Sequence, residues 1–403
     1  MSHTRLGGRP APRGLQRHLR HGARLGAAVV VLGGATVISL SAGLTSAGAS
    51  TRTASVASAC KGKGVVPPSE VAAVKAAETN STPWAGPKTS PKPPKNLTIV
   101  DVSQDETNAG NDGVANGLAQ AAKVLGWGYK EIDGNATLSG MVSALNQAIA
   151  LKPAAIALES VPTDGTTPEL KKAAADGIAL IGWHVANDPG KIKGTPLFWN
   201  VSTSPFQIAE IAADYAIVAS CGEAHAIELT DMTYPIDVEK NAGFDAAFKL
   251  SKTSSIKIDN YPFGSRSTLT GPQVTAITQK DPDVNWFLTI NDSYFDYAIP
   301  TLRSDGIQPG SLNLDSAGDG SPSAFQRIRE NSWQVATVPE PLNEQGWIMA
   351  DEIDRAVNHK PPFNFVTKVH LTVHGNVNDD GGAKNVYTPG DNYQARFTKL
   401  WGK

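Results

Sequence analysis

From residue 96 onward, short apolar runs alternate with amphipathic segments, and that rhythm leaves few folds open. Residues 97–102 (LTIVDV) read as a buried strand. Residues 113–127 read as a helix with Val114, Leu118, Ala122 and Leu125 on one face. Strand 129–132, a helix carrying Met141, Leu145 and Ile149, strand 154–158, helix 168–175 and strand 178–182 continue the series. A second series follows, with helices at 205–220, 238–250, 268–280 and 294–304 and strands at 224–229, 255–260, 284–290 and 311–314. Residues 323–371 alternate again, and periodicity alone assigns them to neither series. Strands separated by helices make parallel sheets through right-handed crossovers, so two series of similar length predict two α/β domains.

In open parallel sheets, ligands lie beyond the carboxyl ends of the strands. Those ends carry Asn108 and Asn111, then Glu159, then Trp183 and His184. In the second series they carry Asp231, Phe263, Asn291 and Asp319, and strand 334–338 delivers Glu340. Carboxylates and amides exchange hydrogen bonds with hydroxyls, and aromatic faces cover the apolar side of a sugar ring. The expected ligand is therefore a small polar, sugar-like molecule held between the domains. Each residue also has a plainer use: Asn108 as a helix cap (a place better suited to Asp112), and Trp183 and Phe263 as core aromatics.

The sequence has no Gly-x-Ser-x-Gly elbow, no His-Glu-x-x-His and no Gly-x-x-x-x-Gly-Lys loop, so an enzyme is not expected, nor a cofactor. His370 and His374 alternate on one strand without an evident third ligand, and no metal site is expected. The first 49 residues contain Arg5, Arg9, Arg13, Arg17, Arg20 and Arg24 and no acid or lysine, although the whole chain has a formal charge of −2. The body is accordingly acidic, which argues against a nucleic-acid partner. The uncharged stretch 25–44 and the following Ala47-Gly48-Ala49 read as an export signal ending at residue 49; the competing reading is a retained anchor. An exported chain meets an oxidising compartment, where Cys60 and Cys221 pair. Lipidation of Cys60 and two free thiols are the alternatives. Residues 50–95, rich in proline, read as a tether with one short helix near residues 71–78.

Several local sequences, in order, resemble the type I periplasmic solute-binding proteins that serve sugar ABC transporters, the ribose-binding group. Thr107-Asn108 with Asn116-Gly117 is similar to the first ligand loop. Pro162-Thr163-Asp164 resembles the third, and residues 178–181 resemble the strand before a ligand Asp-Arg pair. Gly243-Phe244 looks like a helix whose preceding turn carries a ligand cation, where Lys240 stands. Asn291-Asp292 and Asp319-Gly320-Ser321-Pro322 resemble two second-domain ligand loops, and Glu340 stands where the family has a ligand Gln.

The resemblance covers about three quarters of the chain. It implies two Rossmann-like domains joined by three crossings and closing on a hinge: 96–203 plus 341–365, and 204–340 plus 366–402. It implies a monomer outside the cytoplasm, in the periplasm or on the outer membrane face, that passes its ligand to a permease and ATPase. The family's Asp-Arg pair is here His184-Val185, so the relatives' ligand does not simply carry over. A neutral polyol is expected, with an amine-bearing or aromatic ligand as the alternative. A sensor for a membrane receptor is a second use of the same cleft. A transcription regulator needs a basic helix-turn-helix where this chain has its signal and tether.

Overall fold

The computed structural model describes Cys60, residues 63–79 and residues 83–403. The expected export segment, 1–49, and the residues just before Cys60 lie outside the described residues. Two sheets organise the rest. The first contains β1 (Thr98–Ser103), β2 (Gly128–Asp133), β3 (Ala155–Glu159), β4 (Ala179–Trp183) and β5 (Trp199–Val201), all parallel, in the order β2-β1-β3-β4-β5. The second contains β6 (His225–Thr230), β7 (Ser255–Asn260), β8 (Trp286–Thr289), β9 (Asn313–Ser316), β10 (Gln334–Thr337) and β11 (Thr372–Val373), in the order β11-β10-β9-β8-β6-β7. Only β11 runs antiparallel, on the edge beside β10. Helices cover both faces, which is why the central strand β3 is buried along its whole length and its sequence, AIALE, is apolar until the last residue.

The helix after β1 spans Ala109–Leu125 and starts earlier than its apolar spacing suggests. Asn108, not Asp112, is the cap: its Oδ1 accepts from the Gly110 backbone N–H at 2.9 Å. Helix Leu342–Val357 lies along Ala109–Leu125 and is buried for most of its length. The two backbones approach so closely that a Cβ on Gly117 would meet the Asn343 carbonyl at 2.2 Å, and one on Gly346 the Val114 carbonyl at 2.4 Å.

The chain passes between the lobes near Thr203, Glu340 and Thr367, and one side chain ties these three passages together. Gln345 Nε2 donates to Glu340 Oε2 (2.8 Å), Thr367 Oγ1 (2.9 Å) and Thr203 Oγ1 (3.2 Å), while its Oε1 accepts from Trp183 Nε1 (2.8 Å). Glu340 Oε2 also accepts from the Thr203 backbone N–H at 3.0 Å.

Two expectations about the chain ends are corrected. The described part of 50–95 is not a free tether. Cys60 and Cys221 form a disulfide, with Cα atoms 5.1 Å apart. Helix Pro68–Ala77 sets Val74 and Ala77 into the second-lobe core with Ile208 and Ala212, and the Leu371 N–H donates to the Ala77 carbonyl. Beyond residue 83 the chain runs over the first lobe. Trp84 packs edge-on against Phe397, and Trp127 Nε1 donates to the Pro94 carbonyl. Arg355 and Asp351 hold Thr89 and Ser90. A proline-rich segment with few apolar side chains folds no core of its own, but it does dock on one already built. Likewise the last part of 366–402 does not join the second lobe. Helix Tyr393–Leu400 and Trp401 pack in the first-lobe core, where Trp401 stacks on Trp347 and its Nε1 donates to Asp351 Oδ1 at 3.0 Å.

Candidate functional site

The carboxyl ends of the two sheets converge on a cavity of about 30 Å³. From the first lobe it is lined by Gln104, Asn108, Ser160 and His184, which follow β1, β3 and β4; from the second by Tyr234, Asp237, Lys240, Phe263, Asn291 and Asp319, which follow β6, β7, β8 and β9. Ser160 and His184 both adopt the left-handed backbone conformation, at φ 54° and 55°. For residues with a Cβ this costs on the order of 1–3 kcal/mol, a cost found most often where function fixes the backbone.

Lys240 crosses the floor of the cavity. Its ammonium donates to the Ile290 carbonyl at 2.7 Å and lies 3.8 Å from Asp319 Oδ1. Asp319 reaches toward the first lobe so closely that a Cβ on Gly110 would fall 2.2 Å from its Oδ2. Burial pushes the Asp319 carboxyl up to about 6 even though Lys240 and His184 favour its charge. Glu340 goes the other way. Burial opposes its charge, but His184, Lys240 and Gln345 outweigh that and hold it at about 2. His184 Nε2 and Glu340 Oε1 are 2.8 Å apart, out of line for a hydrogen bond, and the His184 ring stacks on Trp183 at 3.6 Å. His184, Asp319 and Glu340 together bring ligand-type atoms within 4.8 Å of one another, with the Lys240 ammonium alongside.

The lobes are latched beside the cavity. Arg266 NH2 donates to Asp105 Oδ2 at 2.7 Å and to Thr107 Oγ1 at 2.9 Å, and its guanidinium lies 4.0 Å over the Phe263 ring. Arg266 and Asp105 are both buried, so each satisfies a charge the other would leave exposed to a low dielectric.

Residues 100–361, well over half of the chain, match the family model described as periplasmic binding protein domain. The chain belongs to the periplasmic binding protein family. No curated protein matches it in sequence. Among solved structures it is similar to an ABC transporter solute-binding protein from Agrobacterium vitis with bound allitol (19% identity, 71% of this chain and 98% of that one, TM-score 0.63). It is also similar to a 5-methylthioribose transporter solute-binding protein from Thermotoga lettingae (16%, 78% and 96%, TM-score 0.64) and a sugar ABC transporter protein from Yersinia enterocolitica (17%, 78% and 99%, TM-score 0.65). At these identities the likeness establishes the type I fold.

Within this periplasmic binding protein the structure brings together Asn108, His184, Lys240, Phe263, Asn291 and Asp319 around one cavity. Five expected residues stand elsewhere. Asn111 is used inside the first lobe, where its Nδ2 donates to Ser103 Oγ and its Oδ1 accepts from Ser160 Oγ. Glu159 is fully buried against Asp101; burial pushes both carboxyls up, and two such neighbours do not both ionise. Trp183 is fully buried beneath His184 and serves the hinge through Gln345. Glu340 is held between the lobes by the Thr203 N–H and Gln345, with one oxygen 2.8 Å from His184. Asp231 accepts from the Phe263 N–H at 2.7 Å and so positions that ring. His370 pairs with Asp380 at 2.8 Å and His374 with the Ile328 carbonyl at 3.1 Å, so the two imidazoles share no ligand. Sequence reasoning missed Gln104, Tyr234, Asp237 and the Asp105–Arg266 latch. Asp237 was within reach, because it stands one helical turn before Lys240, in the first turn of the helix that follows β6.

Proposed function

We propose that this protein binds a sugar or sugar-like polyol between its lobes, by closure about the hinge, and delivers it to an ABC importer's permease and ATPase. The observation that carries the reading is the cavity lined from both lobes by amide, hydroxyl, carboxylate and aromatic side chains at the strand ends. Groups split between two rigid bodies are satisfied together only when the lobes close, so ligand binding selects the closed form. Relatives of the same fold carry allitol and 5-methylthioribose. Binding without turnover, export ahead of residue 50, and action as a monomer belong to the same proposal.

The test is a thermal-shift and calorimetric screen of the chain from Ser50 onward against sugars, polyols, amino sugars, amino acids and small aromatic acids. A ligand at 100 times its Kd stabilises the folded state by about 2.7 kcal/mol. A shift confined to one carbohydrate class supports the proposal. A shift only with non-carbohydrates keeps the fold and removes the sugar.

A further inference from the structure

The charges lining the cleft do not balance. Asp237 sits in the first turn of helix Pro235–Leu250, is 5% exposed, and faces the cavity. Its carboxyl accepts no hydrogen bond and forms no ion pair among the described residues. The charged and titratable groups about it are Lys240, Asp231, Glu228, Asp319, Tyr234 and Tyr294, with His184 lining the same cavity from the first lobe, and Lys240 is the one lysine or arginine among them. That ammonium is already committed to the Ile290 carbonyl and Asp319. Arg266, beside the cavity over the Phe263 ring, is paired with Asp105 across the lobes. One ammonium therefore faces two buried carboxyls, and Asp237 is the one left over.

Burying a lone carboxylate costs several kcal/mol, so an empty closed cleft leaves Asp237 holding a proton. Burial is the main cause that holds this carboxyl well above its ordinary value; Lys240 opposes it, and Asp231, Glu228 and Asp319 add to it.

We propose that the solute carries a basic nitrogen and that its ammonium docks on Asp237, which makes it an amino sugar or aminated polyol rather than a neutral one. This rests on the reading of the cleft as a carbohydrate site. On binding, the ligand enters as the ammonium ion, the Asp237 carboxylic acid gives its proton to solvent, and an ammonium–carboxylate pair forms with no other change in charge. Binding is then linked to proton release, and affinity rises with pH while the amine stays protonated.

The experiment is titration calorimetry on the chain from Ser50 onward. D-glucosamine, D-galactosamine and 1-amino-1-deoxysorbitol are compared with D-glucose, D-galactose and D-sorbitol, at pH 5.5 and 7.5, in two buffers of different ionisation enthalpy. Simple alkylamines form a third panel. The expected result is at least tenfold tighter binding of an amine than of its neutral counterpart, with net proton release. Asp237→Asn, which preserves shape, should erase that preference while folding normally by circular dichroism. Equal or tighter binding of a neutral sugar, or no proton release, overturns the amine and leaves the carbohydrate reading standing. Binding of alkylamines alone upholds the amine and sinks the carbohydrate. Binding by none of the three panels overturns both.

Discussion

Gly110 and Asp319 face each other across the cleft, and the missing methyl on Gly110 is what lets the carboxylate pass. Gly110 also lies in the first turn of a helix, where alanine is the better helix former by up to about 1 kcal/mol. Gly110→Ala should therefore leave the melting temperature unchanged or slightly raised and weaken ligand binding at least tenfold; calorimetry on the matched pair reads both. His184→Ala should act on stability instead. It removes the imidazole that lies 2.8 Å from a fully buried Glu340, at a cost of about 3 kcal/mol in urea unfolding at neutral pH. The sequence placed the site at the right strand ends; after β3 it offered Glu159 in place of Ser160, and after β4 it offered Trp183 along with His184. Glu159 and Trp183 close their strands, pair with each other in register, and turn into the lobe. Ser160 and His184, each one position later, line the cavity. Which of two neighbours faces a cleft depends on strand pleat and on the left-handed turn that follows, and composition carries neither.

At the level of elements, apolar periodicity sufficed for the strands and helices of both sheets, because each buries a face against its own neighbours in the chain. It did not suffice for segments whose partners lie far away. The three-residue β5 and two-residue β11 have too little length to show a period. The segment from Cys60 to residue 95 shows only composition, yet it crosses from the second lobe to the first and is covalently pinned at its start. A loop closed over a sequence separation of 161 residues stabilises by about 5 kcal/mol in the chain-entropy treatment. Replacing both Cys60 and Cys221 by Ser should lower stability by up to that amount, with an equal loss on reduction of the unaltered protein. Trp84→Ala removes an aromatic wedged between Phe365 and Phe397 and should cost about 3 kcal/mol in chemical unfolding, without touching a cleft residue.

For the whole molecule, buried acids set the response to pH. Burial pushes Asp101 and Asp319 up to about 6, and Glu228 and Glu352 up to about 7. Between the ordinary carboxylate range and those values the folded chain holds more protons than the unfolded one. Stability therefore falls as pH rises from about 4 through about 7. Glu340 works in the opposite direction but lower down: its contribution is present above its ordinary value and is lost as pH falls toward about 2. The ligand-free protein should thus melt at a higher temperature at pH 5 than at pH 8, and a scan that climbs steadily across that range would contradict the burial of these groups.

The first lobe draws its sheet from residues 98–201, but the helix that covers much of that sheet is Leu342–Val357, and Tyr393–Leu400 closes over it. A chain emerging from its amino end therefore begins this lobe at residue 98 and completes its core only with residues 342–401. Through most of its delivery one face of the first sheet is covered only by Ala109–Leu125 while the second lobe is assembled. Deleting the final helix should leave the second lobe folded and the first, though longer in existence, the one that fails.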